Sequence, residues 1–298
     1  MQEVIINNRR YWVPANWHEL ESPTFLRIAP FILGPASTSL DRQAKVLFTL
    51  LPAIMHYWTR SKIQTWLVQR MPFLRCAFPV LSPAQKWDLL DTVIWVFNSL
   101  SGESIMREFR HKGVRYHLPE SNLVKESVVA FAFADHYFTK FVETGDQLLI
   151  DWLVACIARP VGRVEKFREH AWEGDIREPF STSRTAERAA AFSDLPEGIK
   201  FAVLLYFMGS KKFLHEQYAV IFQPEQDEPE DAADGFARRR ASFGVRKVPR
   251  PEMGWFAVLY DLAELGTFGS FNEVKHMFLH TCCYYLAKKK YDIEELKK

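Results

Sequence analysis

Two serine–proline pairs, Ser22-Pro23 and Ser82-Pro83, each stand directly before a run of apolar residues at helical spacing. That pattern constrains the fold more than any other. Serine caps a helix N-terminus. Proline suits the first helical position, where its missing N–H has no partner to lose, and an apolar period of about 3.6 residues then gives the helix one face to bury. After Ser22 the stripe is Phe25, Ile28, Ile32 and Leu33, and Pro30 is expected to kink or end the helix. After Ser82 it is Trp87, Leu90, Ile94 and Phe97. The same period marks residues 41–51, 54–68, 127–142, 147–158, 183–191, 196–222, 253–265 and 272–290. Either Ser193 or Asp194 can cap the helix after Pro196, with Asp194 favoured, and Gly266 suits the left-handed position past a helix end. Only 13 of the 298 residues are glycine, which disfavours turn-dense all-β folds and phosphate-cradling loops.

Strand signals are confined to two places. Val4 to Ile6, the pair Asn7-Asn8 and Arg9 to Val13 read as a hairpin, because asparagine tolerates the left-handed backbone of a tight turn. Met106 to Phe109, a turn at His111-Lys112-Gly113 and Val114 to Leu118 read as another. The second strands align, Arg10 on Arg115, Tyr11 on Tyr116 and Pro14 on Pro119, and a helix follows each. The chain is thus expected to be mainly α and helical-bundle-like with two small β-hairpins, and the recurrence suggests an internal duplication. The expected division is residues 1–103, hairpin plus helices, and 104–298, second hairpin plus helices. Residues 159–180, broken by Pro160, Gly162, Gly174 and Pro179, read as an irregular loop. Residues 223–250 place six acids before six bases with few large apolar residues, the composition of a mobile loop.

The net charge of +2 is too small to draw in nucleic acid or an anionic membrane by bulk attraction. No apolar run approaches the ~20 residues of a spanning helix and no secretory signal is visible. With four cysteines, two of them adjacent, the chain reads as reduced, soluble and cytoplasmic.

Candidate chemistry is sparse. His276, His280 and Cys283 would share one face of a continuous helix, the spacing of a zinc site, but a fourth ligand is missing and Met277 stands where a metalloprotease needs glutamate. Histidines bonded to neighbours are the preferred reading, and no metal or cofactor is expected. Asp135 and His136 are adjacent, so on a helix they point about 100° apart and cannot orient one another. Cys76 and Cys156 lie among apolar residues, where buried thiols are commoner than nucleophiles. Neither GxxxxGK[ST] nor GxGxxG occurs. Arg238, Arg239, Arg240, Arg246, Lys247 and Arg250 form a basic run that could contact phosphates, but the acids before it cancel much of its field. Trp12, Trp17, Trp255, Phe256 and Phe268 sit at element ends. There they either line a groove for a partner helix or fill the corners of the core.

Two stretches carry a resemblance. Residues 13–22, with Trp17 and Leu20, and then Phe25 open the chain. Residues 254–290 close it, with Trp255, Leu259, Ala263, Gly266, Phe268, Gly269, Val274 and His280. Together they resemble phage and prophage tail assembly chaperones and neighbouring tail-module proteins. The resemblance implies a non-enzymatic assembly or interaction protein without catalytic residues. Its partner would be a long apolar helical chain such as a tape-measure or other tail protein. The alternatives are a nucleic-acid-contacting protein using the basic run of residues 238–250, a structural virion component, and an enzyme of unrecognised type.

Overall fold

A computed structural model of the chain describes residues 1–6, 8–33, 38–52, 80–162, 175–222 and 254–296. The expected helix at residues 54–68, Cys76 and the acid-then-base segment of residues 223–250 lie outside the described residues. The fold is mainly α with two small antiparallel sheets. Strands β1 (Gln2–Ile6) and β2 (Arg9–Val13) form the first hairpin, with Val4 opposite Tyr11 and Glu3 opposite Trp12. Alternation turns Ile6 and Val13 to the core and leaves Ile5 and Trp12 outside. A 3-10 turn at Trp17–Glu19 leads into α1 (Ser22–Leu33), followed by α2 (Ser39–Leu50). Next come α3 (Pro83–Asp91) and the single turn α4 (Trp95–Asn98). Ser82 and Gln85 make the reciprocal capping box that the Ser-Pro start predicts.

The second hairpin joins β3 (Glu108–His111) to β4 (Val114–His117) through Lys112 and Gly113, with φ of 47° and 79°. Glycine carries this geometry without strain, whereas a lysine does so at a cost. Another 3-10 turn, Ser121–Leu123, precedes α5 (Val128–Thr144) and α6 (Leu148–Ile157). Strand β5 (Arg159–Pro160) then pairs with β4. The chain continues with α7 (Thr182–Ala191), α8 (Glu197–Gln217), α9 (Ala219–Phe222), α10 (Trp255–Glu264), α11 (Phe271–Val274) and α12 (Leu279–Leu296). The core sits where α5 and α6 pair and α8 crosses α6 and α1. Phe131, Leu153, Ile157, Leu204 and Phe207 are fully buried there, each contributing about 1.5–3 kcal/mol of transfer free energy.

The two hairpins head the same sequence of elements: strand, strand, 3-10 turn, helix. The residue numbers run in step, with β2 starting at Arg9 and β4 at Val114, and α1 at Ser22 and α5 at Val128. Extending the alignment brings Glu21-Ser22 onto Glu126-Ser127. The duplication read from the six-residue strand match therefore has a counterpart in element order.

Five local expectations are corrected. Of the two outcomes expected at Pro30, a kink or an end, the end does not occur: α1 continues to Leu33. Proline cannot donate to the carbonyl of Leu26, and Gly198 of α8 packs against that oxygen so closely that a Cβ there would lie 2.4 Å from it. Ser22 lies inside α1 and its hydroxyl donates to Ile105 O (2.8 Å) rather than capping. Asp194 does not cap α8, whose N-cap is Pro196; it closes a 3-10 turn, Phe192–Asp194, and pairs with Lys112 (3.0 Å) and His111 (3.1 Å). Part of the expected loop at residues 159–180 is sheet: β5, and a bridge between Val161 and Arg177. The expected single helix of residues 272–290 is two, α11 and α12. Between them the carbonyls of Lys275 and Met277 accept hydrogen bonds from Val129 and Val128 N–H, and Ser127 bridges Phe278. Gly266 is left-handed as expected, with φ 66°.

Candidate functional site

The most strained segment among the described residues is the crossing from β4 to α5. Asn122, Leu123 and Lys125 have φ of 60°, 59° and 62°, and leucine and lysine rarely adopt this region. Neighbouring elements over-determine the conformation. Asn122 N–H donates to Gly102 O (2.6 Å), and Leu123 N–H donates to the Tyr206 hydroxyl (3.1 Å), which donates in turn to Glu120 O (2.7 Å). Burial raises the Tyr206 phenol, so it stays a donor. His280 Nε2 lies 2.9 Å from Asn122 O. A carbonyl only accepts, so Nε2 carries the proton and Nδ1 accepts from the Tyr218 hydroxyl (3.1 Å).

The segment delivers Glu126 to the interior, with no exposed side-chain surface. Its carboxylate accepts from Arg159 Nη2 of β5 (2.5 Å), Arg177 Nη1 (2.8 Å) and Ser127 N–H (3.0 Å). Asp175 grips Arg177 through Nε (2.9 Å) and Nη2 (2.6 Å), and Arg177 also donates to Ile157 O (3.0 Å). Two carboxylates and two guanidiniums thus form a quartet that is buried but for Asp175, whose side chain is 15% exposed. Its arginines respond differently. Burial pulls Arg159 down to about 10, and the like charge of Arg177 acts in the same direction. Burial lowers Arg177 too, but the charges of Glu126 and Asp175 and their hydrogen bonds more than offset it, and it is raised.

A second buried arginine cluster adjoins the first. Arg188 of α7 donates to Ala155 O (3.1 Å), to Thr185 Oγ1 (3.0 Å) and to Glu178, which also holds Arg184 (2.8 Å). Asp151 of α6 meets Lys200 of α8 at 2.5 Å. Such buried pairs contribute little net stability relative to apolar replacements, but losing one partner costs several kcal/mol, so they fix which elements meet.

In front of the quartet lies a cleft of about 700 Å³ lined by Arg107, His117, Asn122, Lys125, Arg177 and neighbours. Lys125 is paired with Glu120 (2.7 Å), and His117 Nδ1 lies 3.6 Å from Glu108. His117 Nε2 is buried without a hydrogen-bond partner. The cleft can hold polar or anionic groups.

The aromatic residues singled out in the sequence do not converge. Trp17 is buried, donating its indole N–H to Ser99 O (2.9 Å) and standing edge-on to Phe25 and Trp95. The cavity beside it is about 10 Å³, room for one water. Trp12 is 56% exposed on the outer face of β2. Trp255 and Phe256 are half-buried at the start of α10, against Phe131 and Phe222, and against Phe133, respectively. Phe268 stands edge-on to Tyr285 of α12. The residues Arg238, Arg239, Arg240, Arg246, Lys247 and Arg250 lie outside the described residues.

The zinc spacing does not survive folding. His276 lies in the break between α11 and α12 while His280 and Cys283 follow it on α12, and His280 is engaged as above. No cluster of three or more His, Cys, Asp or Glu able to hold a metal occurs among the described residues. Cys156, Cys282 and Cys283 are buried, and desolvation raises all three thiols, the last two to about 12. Asp135 pairs with Lys211 of α8 (2.6 Å), not with His136.

Sequence reasoning missed Glu126, Arg159, Asp175, Arg177 and Arg188. One signal was present: the recurrence of Glu-Ser before a helix, at Glu21 and Glu126, extends the repeat and points at Glu126. Comparison with family models, curated proteins and solved structures finds no match to this chain.

Proposed function

We propose that this chain is a non-enzymatic assembly or interaction protein that covers an apolar helical partner, as its resemblance to phage-tail assembly chaperones implies. One observation carries the reading. The C-terminal helices leave large apolar side chains outside: Tyr260 and Leu265 at α10, and Tyr284, Tyr291, Ile293 and Leu296 along α12. Half-buried Trp255, Phe256 and Phe268 belong to the same C-terminal segment, and exposed apolar side chains of this kind suit contact with the apolar stripe of a partner helix. The buried charges support the same reading, because they pair with one another. A cytoplasmic location belongs to the proposal; no helix among the described residues is long and apolar enough to cross a membrane.

The test is co-expression with the long helical protein of a tail module. Soluble recovery of that protein should rise with the wild-type chain and fall back with a Tyr260→Asp/Tyr284→Asp variant that itself stays folded. Equal recovery with both proteins would remove the surface from the mechanism. Binding to DNA or RNA that weakens steeply with salt would favour the nucleic-acid alternative instead.

A further inference from the structure

We propose that the outer edge of β2 takes up an extended strand from a partner polypeptide, with an arginine or lysine opposite Trp12 that pairs with Glu21. The inference concerns a different surface from the C-terminal helices and stands apart from the helix-covering reading. It comes from comparing the two repeats.

In the second repeat the outer edge of β4 is occupied. His117 pairs with Arg159 and Tyr116 with Pro160, both of β5. Arg159 then reaches across to Glu126, at 2.5 Å. An added strand and a basic side chain bound to the Glu-Ser carboxylate together complete that half.

Among the described residues the first repeat has the matching hairpin and no third strand, and its crossing to α1 has none of the left-handed residues found at Asn122, Leu123 and Lys125. Its sheet has two strands, β1 and β2. Ile6 and Arg9 close the hairpin around two turn residues, so the ladder alternates from there. That alternation points the main-chain N–H and C=O of Arg10 and Trp12 away from β1. Trp12 holds the place of His117, and its side chain is 56% exposed. Glu21 holds the place of Glu126. It is exposed, and among the described residues its carboxylate has no ion pair or hydrogen bond.

Among the described residues the set therefore consists of a strand edge with no further strand, the exposed aromatic side chain of Trp12 on that strand and the exposed carboxylate of Glu21, which aligns in sequence with Glu126. An open edge is a template for strand addition, and main-chain bonds supply affinity while side chains supply selectivity. The charge of Glu21 selects a basic residue. Arg10 does not forbid one, because Arg115 occupies the same place in the second repeat, beside the strand that brings Arg159. A proline after the basic residue is compatible, since Pro160 follows Arg159 in β5 and an edge strand can spare that N–H.

The test uses the full chain and a synthetic peptide, Ser-Ile-Ala-Arg-Pro-Val-Gly-Ser, which carries residues 157–162 between serines. Amide resonances of the isotopically labelled protein are followed as peptide is added. Saturable shifts are expected at Arg10 and Trp12. Methylating the peptide's arginine N–H blocks pairing without touching its side chain and should weaken binding about tenfold, as should Glu21→Lys in the protein. A peptide with glutamate in place of arginine should bind the Glu21→Lys protein better than wild type. No shifts at millimolar peptide, or shifts indifferent to both N-methylation and Glu21→Lys, would overturn the proposal. So would shifts centred on His117, which would mean that the peptide displaces β5. Self-association of the chain through Trp12, dissolved by the peptide, would make the occupant a second copy and overturn the assignment to a partner.

Discussion

Replacing Glu126 by glutamine keeps the shape of the side chain and removes one charge. The carboxylate has no exposed surface and accepts hydrogen bonds from Arg159 at 2.5 Å, Arg177 at 2.8 Å and Ser127 N–H at 3.0 Å. In Glu126→Gln an amide N–H₂ must face one of the guanidiniums, and the quartet carries an uncompensated positive charge. No cavity opens, so the cost is electrostatic. Breaking a buried pair by removing one partner typically costs about 3–5 kcal/mol. Against a total stability of roughly 5–15 kcal/mol this is a large loss. With about 2.1 cal/mol/K of unfolding entropy per residue, a chain of 298 residues should lose roughly 5–8 °C in Tm. Urea unfolding followed by circular dichroism gives the free energy, and calorimetry the Tm. The double variant Glu126→Gln/Arg159→Met removes a charge of each sign and should be no less stable than Glu126→Gln alone. A single-variant loss below about 1 kcal/mol, or strictly additive costs in the double variant, would refute the claim that these charges hold the junction as one unit.

Three further outcomes are expected. Gly209→Ala should destabilise the chain by about 2 kcal/mol in chemical denaturation, because its Cβ would lie 2.2 Å from the Ser101 carbonyl, and the ~1 kcal/mol gain in helix propensity is smaller than the clash. Trp17→Ala should cost about 3–5 kcal/mol, since the buried ring and its bond to Ser99 are both lost, while Trp12→Ala should change stability by less than about 1 kcal/mol; comparable losses at both sites would contradict the burial pattern. Cys282 and Cys283 have thiols raised from an ordinary value of 9.0 to about 12. The native state therefore keeps those protons after the unfolded chain has released them, and stability should fall as pH rises between about 9 and 12. A Cys282→Ala/Cys283→Ala variant should show a shallower alkaline decline in the same titration.

The helical elements were legible where local rules dominate. Ser82-Pro83 with Gln85 makes a cap from residues within one turn of each other, and the Lys112-Gly113 turn needs only its own backbone. Misreadings arose where a distant partner competes with local preference. Residues 275–278 have the composition of a continuing helix, yet their carbonyls accept from the start of α5 and the helix breaks. Pro30 left a kink or an end equally open because the packing of Gly198 against Leu26 O is invisible in one dimension. Arg159 and Pro160 looked like loop because pairing with β4 depends on residues more than forty positions away.

The candidate site was less legible than the fold. Its charges come from three separate places in the chain, and no spacing rule ties Glu126 to Arg159 or to the Asp175–Arg177 segment. The sequence alone determined the mainly helical class, the two hairpins and the recurrence between them, since apolar period, capping and turn chemistry act over a few neighbouring residues. Tertiary structure alone decided that one copy of the repeated glutamate is sealed against two arginines and the other left open to solvent. A carboxylate's burial depends on which distant strand arrives beside it, and among the described residues only the second hairpin has received one.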